Sequence, residues 1–220
     1  MASVASPYGL NPINLIGGQA FNGGVIREYK VASNNTAAIF NGDLVVLSSA
    51  GLPSAVSATP TAIKIPATSA DATAGIVGVC VGARYVDATG VSQYANYLPA
   101  NSITAGYTEV YVRVMDDPDA LFQVQGTAAL GTFNSGTDGS GWPGAVGKNA
   151  ALDFNTAGKT TTGKSGVALL VGANGGSLAA TSTLAVRIVD VVDGTQTDDY
   201  PEFIVKLNVG VHSYTNSLGV

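Results

Sequence analysis

Residues Gly158-Lys-Thr-Thr-Thr-Gly163-Lys164-Ser165 match the phosphate-loop pattern of Gly, four residues, Gly, Lys, Ser. That chemistry needs a buried strand feeding the loop and a helix beginning at its lysine, so that backbone N–H groups and the helix dipole hold a nucleotide's phosphates. Here the preceding Ala151-Leu-Asp-Phe-Asn-Thr-Ala157 is too polar for a central parallel strand, and Gly166-Val-Ala-Leu-Leu-Val-Gly172 behind it reads as a strand closed by glycine. Leu184-Ala-Val-Arg-Ile-Val-Asp190 has the form of a magnesium-binding strand, but an α/β nucleotide fold also needs helices. The spacing is read as a Gly-rich loop, with an NTPase as a rival reading.

The other chemistry-bearing residues fit turns and cores better than sites. Asp116-Asp-Pro-Asp119 and the group Asp190, Asp193, Asp198 and Asp199 offer oxygen ligands to calcium, yet neither has the spacing of an EF-hand loop. Asp-Pro is an ordinary turn former, so Asp116–Asp119 is expected to be a turn leading into a strand. His212 is the single histidine and the only base a nucleophilic triad has to use. Lying near the carboxyl end, it is expected to be exposed. Glu28, Glu109 and Glu202 sit in strand-like or turn-like settings that give no sign of a glycosidase pair. Trp142, in Gly139-Ser-Gly-Trp-Pro-Gly144, is expected to pin a Gly-rich loop, with stacking on a sugar as the alternative. Cys80 lies in Val77-Gly-Val-Cys-Val81, a buried-strand setting with no nearby cation to activate its thiol. No catalytic, cofactor or metal residue is expected.

The elements that must position these residues are strands. Val25 to Val31 alternates, with Val25, Tyr29 and Val31 on one face and Glu28 and Lys30 on the other. Leu44 to Leu47 and Ile76 to Val81 are short apolar runs expected to be buried on both faces. Tyr107 to Met115 sets Val110, Val112 and Val114 against Tyr111, Arg113 and Met115. Leu121 to Val124, Val167 to Val171, Leu184 to Val192 and Phe203 to Val211 complete the set, and no stripe keeps helical spacing for three turns. The predicted fold is all-β, a barrel or sandwich spanning residues 25–220, with loop excursions near 52–74 and 128–163.

Residues 1–24 read as an extended N-terminal arm: Pro7, Pro12 and paired glycines separate Leu10, Ile13, Leu15 and Ile16. Tyr8, Leu10, Ile13, Leu15 and Ile16 either strap the arm across its own core or dock on another subunit.

Composition narrows the function. Apolar residues make up 46% of 220, which supports a packed core, while charged residues reach only 11% and leave the surface to Gly, Ala, Ser, Thr and Asn. Such a surface suits wide protein interfaces with little ion desolvation. Ten Lys and Arg against fifteen Asp and Glu give a net charge of −5 with no basic run, which argues against nucleic-acid binding. The longest apolar runs are about half a membrane helix. Met1 to Tyr8 lacks the basic start and apolar core of a secretory signal, so the product is expected to stay in the cytoplasm where it is made.

Five segments, in order along roughly the first 125 residues, carry a resemblance. They are Pro7-Tyr-Gly-Leu-Asn-Pro-Ile-Asn-Leu-Ile-Gly-Gly18, Ile39-Phe-Asn-Gly-Asp-Leu-Val45, Gly75-Ile-Val-Gly-Val79, Tyr94-Ala-Asn-Tyr-Leu-Pro-Ala100 and Asp116-Asp-Pro-Asp-Ala-Leu-Phe-Gln-Val-Gln125. The chain resembles small virion structural proteins of tailed phages, marine and cyanobacterial ones especially. The resemblance, read as a capsid cement or head-decoration type, implies a place on the capsid exterior. It also implies the major capsid protein and further copies of the chain as partners, a trimer among the possible arrangements, and no catalytic residues. The arm residues are then the capsid-contact candidates. The alternative of another class is a phage tail component or surface adhesin that binds glycans.

Overall fold

The computed structural model describes residues 4–18, 26–48, 61–64 (as backbone), 76–130, 142–171, 178–180, 182, 184–208, 212 and 214–215. The chain is mainly β. In order its strands are β1 (Asn11–Leu15), β2 (Ile26–Val31), β3 (Ile39–Phe40), β4 (Leu44–Ser48), β5 (Thr61–Lys64), β6 (Ile76–Val86), β7 (Ser92–Ala95) and β8 (Tyr97–Leu98). There follow β9 (Thr108–Met115), β10 (Ala120–Gln125), a four-residue helix α1 (Trp142–Ala145), β11 (Asn149–Ala150), β12 (Leu152–Asp153), β13 (Ala168–Leu169), β14 (Val186–Val191) and β15 (Glu202–Leu207).

In the first sheet β2 and β9 alternate apolar and polar residues, whereas β4 and the first half of β6 are continuous apolar runs. Strands β4, β5, β2, β9 and β6 are hydrogen-bonded in that order, and a further β4–β6 pairing closes them into a small barrel. Only the β2–β5 pair is parallel. Inside lie Tyr29 and Val31 of β2, Val45 of β4, Val77 and Cys80 of β6, and Val110, Val112 and Val114 of β9. The long β6 pairs with β9 along one edge and divides the other, where Ile76 to Val79 meets β4 and Ala83 to Val86 meets β7.

The second sheet runs β1-β10-β15-β14-β11, antiparallel throughout. Its core holds Phe122, Val124, Ile188, Phe203 and Val205, and Leu44, Ile76, Val79 and Met115 join it from the outer face of the barrel. The barrel strands are therefore apolar on both sides where the two sheets meet, which is why their sequences read as continuous runs. Burying each of Phe122 and Phe203 contributes about 2–3 kcal/mol of transfer free energy.

The arm follows the strap reading, one of the two offered for it, and several strand bounds shift. The 7–15 stretch is a strap: β1 is an edge strand of the second sheet, Pro12 occupies a position where a missing donor is tolerated, and the register is bulged at Ile13. Strand β6 extends to Val86 instead of stopping near Val81, while the 167–171 run forms ladder pairs only at Ala168 and Leu169. The last strand ends at Leu207; residues 209–211 lie outside the described set. The 128–163 stretch contains α1, β11 and β12, and Phe154 packs against the core. Phe133, the Trp142 side chain and most of 52–74 lie outside the described residues.

Candidate functional site

The Gly158–Ser165 motif folds as a hairpin turn. Lys159 and Lys164 form an antiparallel bridge, the amide of Gly163 donates to the Lys159 carbonyl at 2.8 Å, and Gly163 takes a left-handed φ of 70°. After Lys164 the chain runs to β13 and not into a helix. Each motif residue has a local task. A Cβ at Gly158 would lie 2.3 Å from the Phe40 ring, so only glycine fits beneath it. Lys164 sets its ammonium 5.6 Å from the Tyr8 ring centroid. Ser165 is fully buried and its hydroxyl donates to Asp43 Oδ1 at 2.6 Å, while Asp43 Oδ2 accepts the Phe40 amide at 2.8 Å. The Asn41 amide donates to the Gly163 carbonyl and the Ser165 amide to the Asn41 carbonyl, so the hairpin is stitched to the β3–β4 turn.

A second polar cluster closes one side of the barrel. Asp116 is buried, paired with the exposed Arg27 and accepting the Tyr29 hydroxyl at 2.6 Å. Burial first, and the bond to Asp116 next, raises the Tyr29 pKa. The Tyr29 hydroxyl also meets the Tyr214 hydroxyl at 2.8 Å, and Arg27 lies 4.9 Å from the Tyr214 ring centroid. His212, expected on the surface, is fully buried: it forms a parallel bridge with Ile76, and its Nδ1 accepts the Tyr214 amide at 3.2 Å. That bond leaves the proton of the neutral ring on Nε2, which is buried and closes no hydrogen bond among the described residues. Burial lowers the His212 pKa, against the pull of the Asp116 carbonyl and the Asp116 and Asp117 carboxylates. Placed this way, Tyr214 meets β2 through Tyr29 and His212 meets β6 through Ile76.

Asp117 and Asp193 form turns, while Asp190 lies in β14. Asp117 Oδ1 accepts the Asp119 amide at 2.7 Å, Ala120 N–H closes on the Asp117 carbonyl, and Asp119 pairs with Lys206 at 2.6 Å as β10 begins. Asp193 accepts the Gln196 side chain at 3.0 Å, and Asp190 accepts the Val191 amide. Among the described residues no three His, Cys, Asp or Glu side chains converge as metal ligands would. Cys80 is buried in the barrel wall, its thiol donating to the Gly82 carbonyl.

The arm candidates separate into two groups. Leu10 is fully buried in the second core, which is a correction to its place among the capsid-contact residues, since it has no apolar area left to offer a neighbour. Leu15 packs against the same core, and Ile13 is half-buried. The Tyr8 hydroxyl lies beside Glu202, and burial first, then that carboxylate, raises its pKa. Ile16 is exposed just past the strand. Further back, Ser6 N–H donates to Gln125 Oε1 and Gln125 Nε2 to the Val4 carbonyl, bordering an open cleft of about 230 Å3 between Pro7, Thr127, Asp153 and Tyr200.

Sequence reasoning misses Asp43 and Asp87. Asp87 accepts the Thr89 hydroxyl and amide, the Val91 amide and the Gln93 side chain, which together pull its pKa down to about 2 and fix the β6–β7 turn. The Asp87-Ala-Thr-Gly90 sequence is a turn signal that finds this residue. It also misses the outer face of the barrel, where Arg84 lies 4.5 Å from the Tyr111 ring centroid and pairs with Glu28 at 3.1 Å and Glu109 at 3.5 Å.

Compared with protein-family models, with curated proteins and with solved structures, the chain matches none.

Proposed function

We propose that this chain is a non-enzymatic structural protein that binds the outside of a tailed-phage capsid and stabilises contacts between major capsid proteins. One observation carries the preference for binding over catalysis: the side chains that look chemical in the sequence are engaged in joining strands. Ser165 and Asp43 tie the hairpin to the β3–β4 turn, and Asp116, Tyr29, Tyr214 and His212 join β2 and β6 to one another. A reactive group must be free to meet a substrate, and a strut is most useful when it is not. The β-rich body and low charge density favour a subunit that adds buried area across capsomer seams, with further copies of itself as neighbours. The resemblance of the first 125 residues supplies the phage context.

The test is to add purified chain to capsids that lack it, then measure occupancy and the temperature at which packaged DNA escapes. Saturable occupancy at hundreds of copies per particle with a higher release temperature supports the reading. No binding, binding only to tails, or stabilisation of the free protein by magnesium and ATP sinks it.

A further inference from the structure

We propose that the open outer face of the barrel, from Tyr94 across Arg84 and Tyr111 to Lys30, is the docking surface, and that its partner is a folded protein surface bearing carboxylates. This rests on the capsid-binding reading and names the part of the chain that does the binding.

Register places these residues together. Tyr94 of β7 stands opposite Arg84 of β6, Arg84 opposite Tyr111 of β9, and Tyr111 opposite Lys30 of β2. Four adjacent strands thus raise one row of side chains on one face. Nearer the second sheet that same outer face is covered, since Val79 and Met115 enter the second core; the row begins where the cover ends. Arg84, at the centre of the row, is held by Glu28, Glu109 and the Tyr111 ring, so that part of the row has less side-chain entropy to lose on binding. Tyr94 is 76% exposed and Val91, on the same hairpin, 53% exposed, which gives the row an apolar end. Asp87 fixes the turn that carries both.

Charge identifies the partner. The face carries Lys30, Arg84 and Arg113 against Glu28 and Glu109, a positive balance on a chain of net charge −5. Arg84 engages both glutamates, whereas Lys30 and Arg113 are exposed and make no ion pair among the described residues. Two unmatched cations beside tyrosine and arginine are what a carboxylate-bearing protein surface would pair with, and Tyr and Arg are the residue types that carry interface energy. A glycan needs open ring faces, and the guanidinium of Arg84 covers that of Tyr111, leaving Tyr94 as a single ring. Nucleic acid needs a longer series of free cations.

The experiment compares wild type, Tyr94→Ala and the double variant Lys30→Glu, Arg113→Glu for binding to phage heads purified without the chain, by co-sedimentation across a salt series. All three positions are exposed, and melting temperatures check that the fold is kept. The expected result is binding at least tenfold weaker for each variant, with a salt dependence that is reduced in the double variant. Wild-type affinity in a folded Tyr94→Ala, or in a folded double variant, overturns the surface while leaving the capsid reading intact. Wild type that fails to bind heads at all removes both. Tyr94-dependent binding to a glycan array would replace the protein partner with a sugar.

Discussion

Ser165 and Asp43, 122 residues apart in sequence, share a buried 2.6 Å hydrogen bond. The Ser165 hydroxyl also accepts the Val167 amide at 3.0 Å, so one oxygen fixes the hairpin exit and the β3–β4 turn together. Ser165→Ala is expected to cost about 2 kcal/mol, the range for losing a buried hydrogen bond to a charged group. Lys164→Ala, at an exposed position, should change stability by less than about 0.5 kcal/mol and abolish no activity. Denaturant melts of the two variants measure this contrast. A magnesium- and ATP-dependent thermal shift lost in Lys164→Ala would instead restore the nucleotide reading.

Gly9 and Gly42 touch backbone to backbone. Both have left-handed φ, 80° and 92°, and a Cβ on Gly9 would lie 2.6 Å from Ser165 Cβ and 2.8 Å from Gly42 Cα. Gly9→Ala or Gly42→Ala therefore meets both strain and overlap, and each should cost on the order of 3 kcal/mol. Gly90, with a similar φ but nothing within 4 Å, should lose less when changed to Ala, and chemical denaturation of the three variants gives the order.

Removal of the strap separates its two groups of residues. Leu10→Ala should cost about 2–5 kcal/mol by leaving a cavity in the second core. Ile16→Ser should leave the melting temperature nearly unchanged, because that side chain is exposed. Deleting residues 1–18 removes Leu10 and the edge strand together and should lower the melting temperature far more than Ile16→Ser. Circular dichroism melts decide it, and an unchanged melting temperature on deletion would return the strap to the status of a free arm.

His212 predicts a pH dependence. Its folded pKa is lowered by burial, so the unfolded chain takes up a proton at a higher pH than the native state does. The stabilising contribution is complete above the unfolded value of about 6.5, falls as pH drops below it, and levels off below the folded pKa. The protonated ring would also lose Nδ1 as an acceptor for the Tyr214 amide. Arg27, Asp116 and Asp117 are the charged groups around it, and Tyr29 and Tyr214 complete the cluster. Melting temperature followed from pH 8 to pH 5 should fall in wild type and fall less in His212→Asn. Equal slopes would remove His212 as the cause.

Asp87 gives the same sign in a more acid window. Its carboxylate accepts bonds in the folded state, so its pKa is lowered to about 2 and its contribution, complete above the unfolded value of 3.8, is lost as pH falls from there through the folded value. An NMR titration of its side-chain carbonyl should show a midpoint near 2 in wild type.

The strand faces were legible because β alternation leaves a period of two in the sequence: Tyr29, Val31, Val110, Val112 and Val114 point inward as their spacing requires. The turn at Asp116–Asp119 was legible for a similar reason, since Asp and Pro encode turns locally. Other features depend on partners distant in sequence. Leu10 belongs to the core through Gly9 N–H on the Val167 carbonyl and Leu10 N–H on the Gly42 carbonyl, contacts that no local pattern announces. The burial of His212 depends on the bridge to Ile76, and the row at Arg84 depends on the register of four strands. The Gly158–Ser165 spacing shows the converse, a local pattern whose four defining residues, Gly158, Gly163, Lys164 and Ser165, meet Phe40, Asn41, Tyr8 and Asp43 in turn.

The bond between Gly9 and Val167 has a consequence for synthesis on the ribosome. At about 5–20 residues per second, the amide of Gly9 waits roughly ten to thirty seconds for its acceptor to be made. During that interval β2 and β9 can already pair, while Leu10 and β1 have only part of their binding groove. Nascent chains of this protein therefore pass through a stage in which an apolar strap is only partly covered beside a half-built sheet. Chaperone contact or pairing with a neighbouring nascent chain would concentrate in that window.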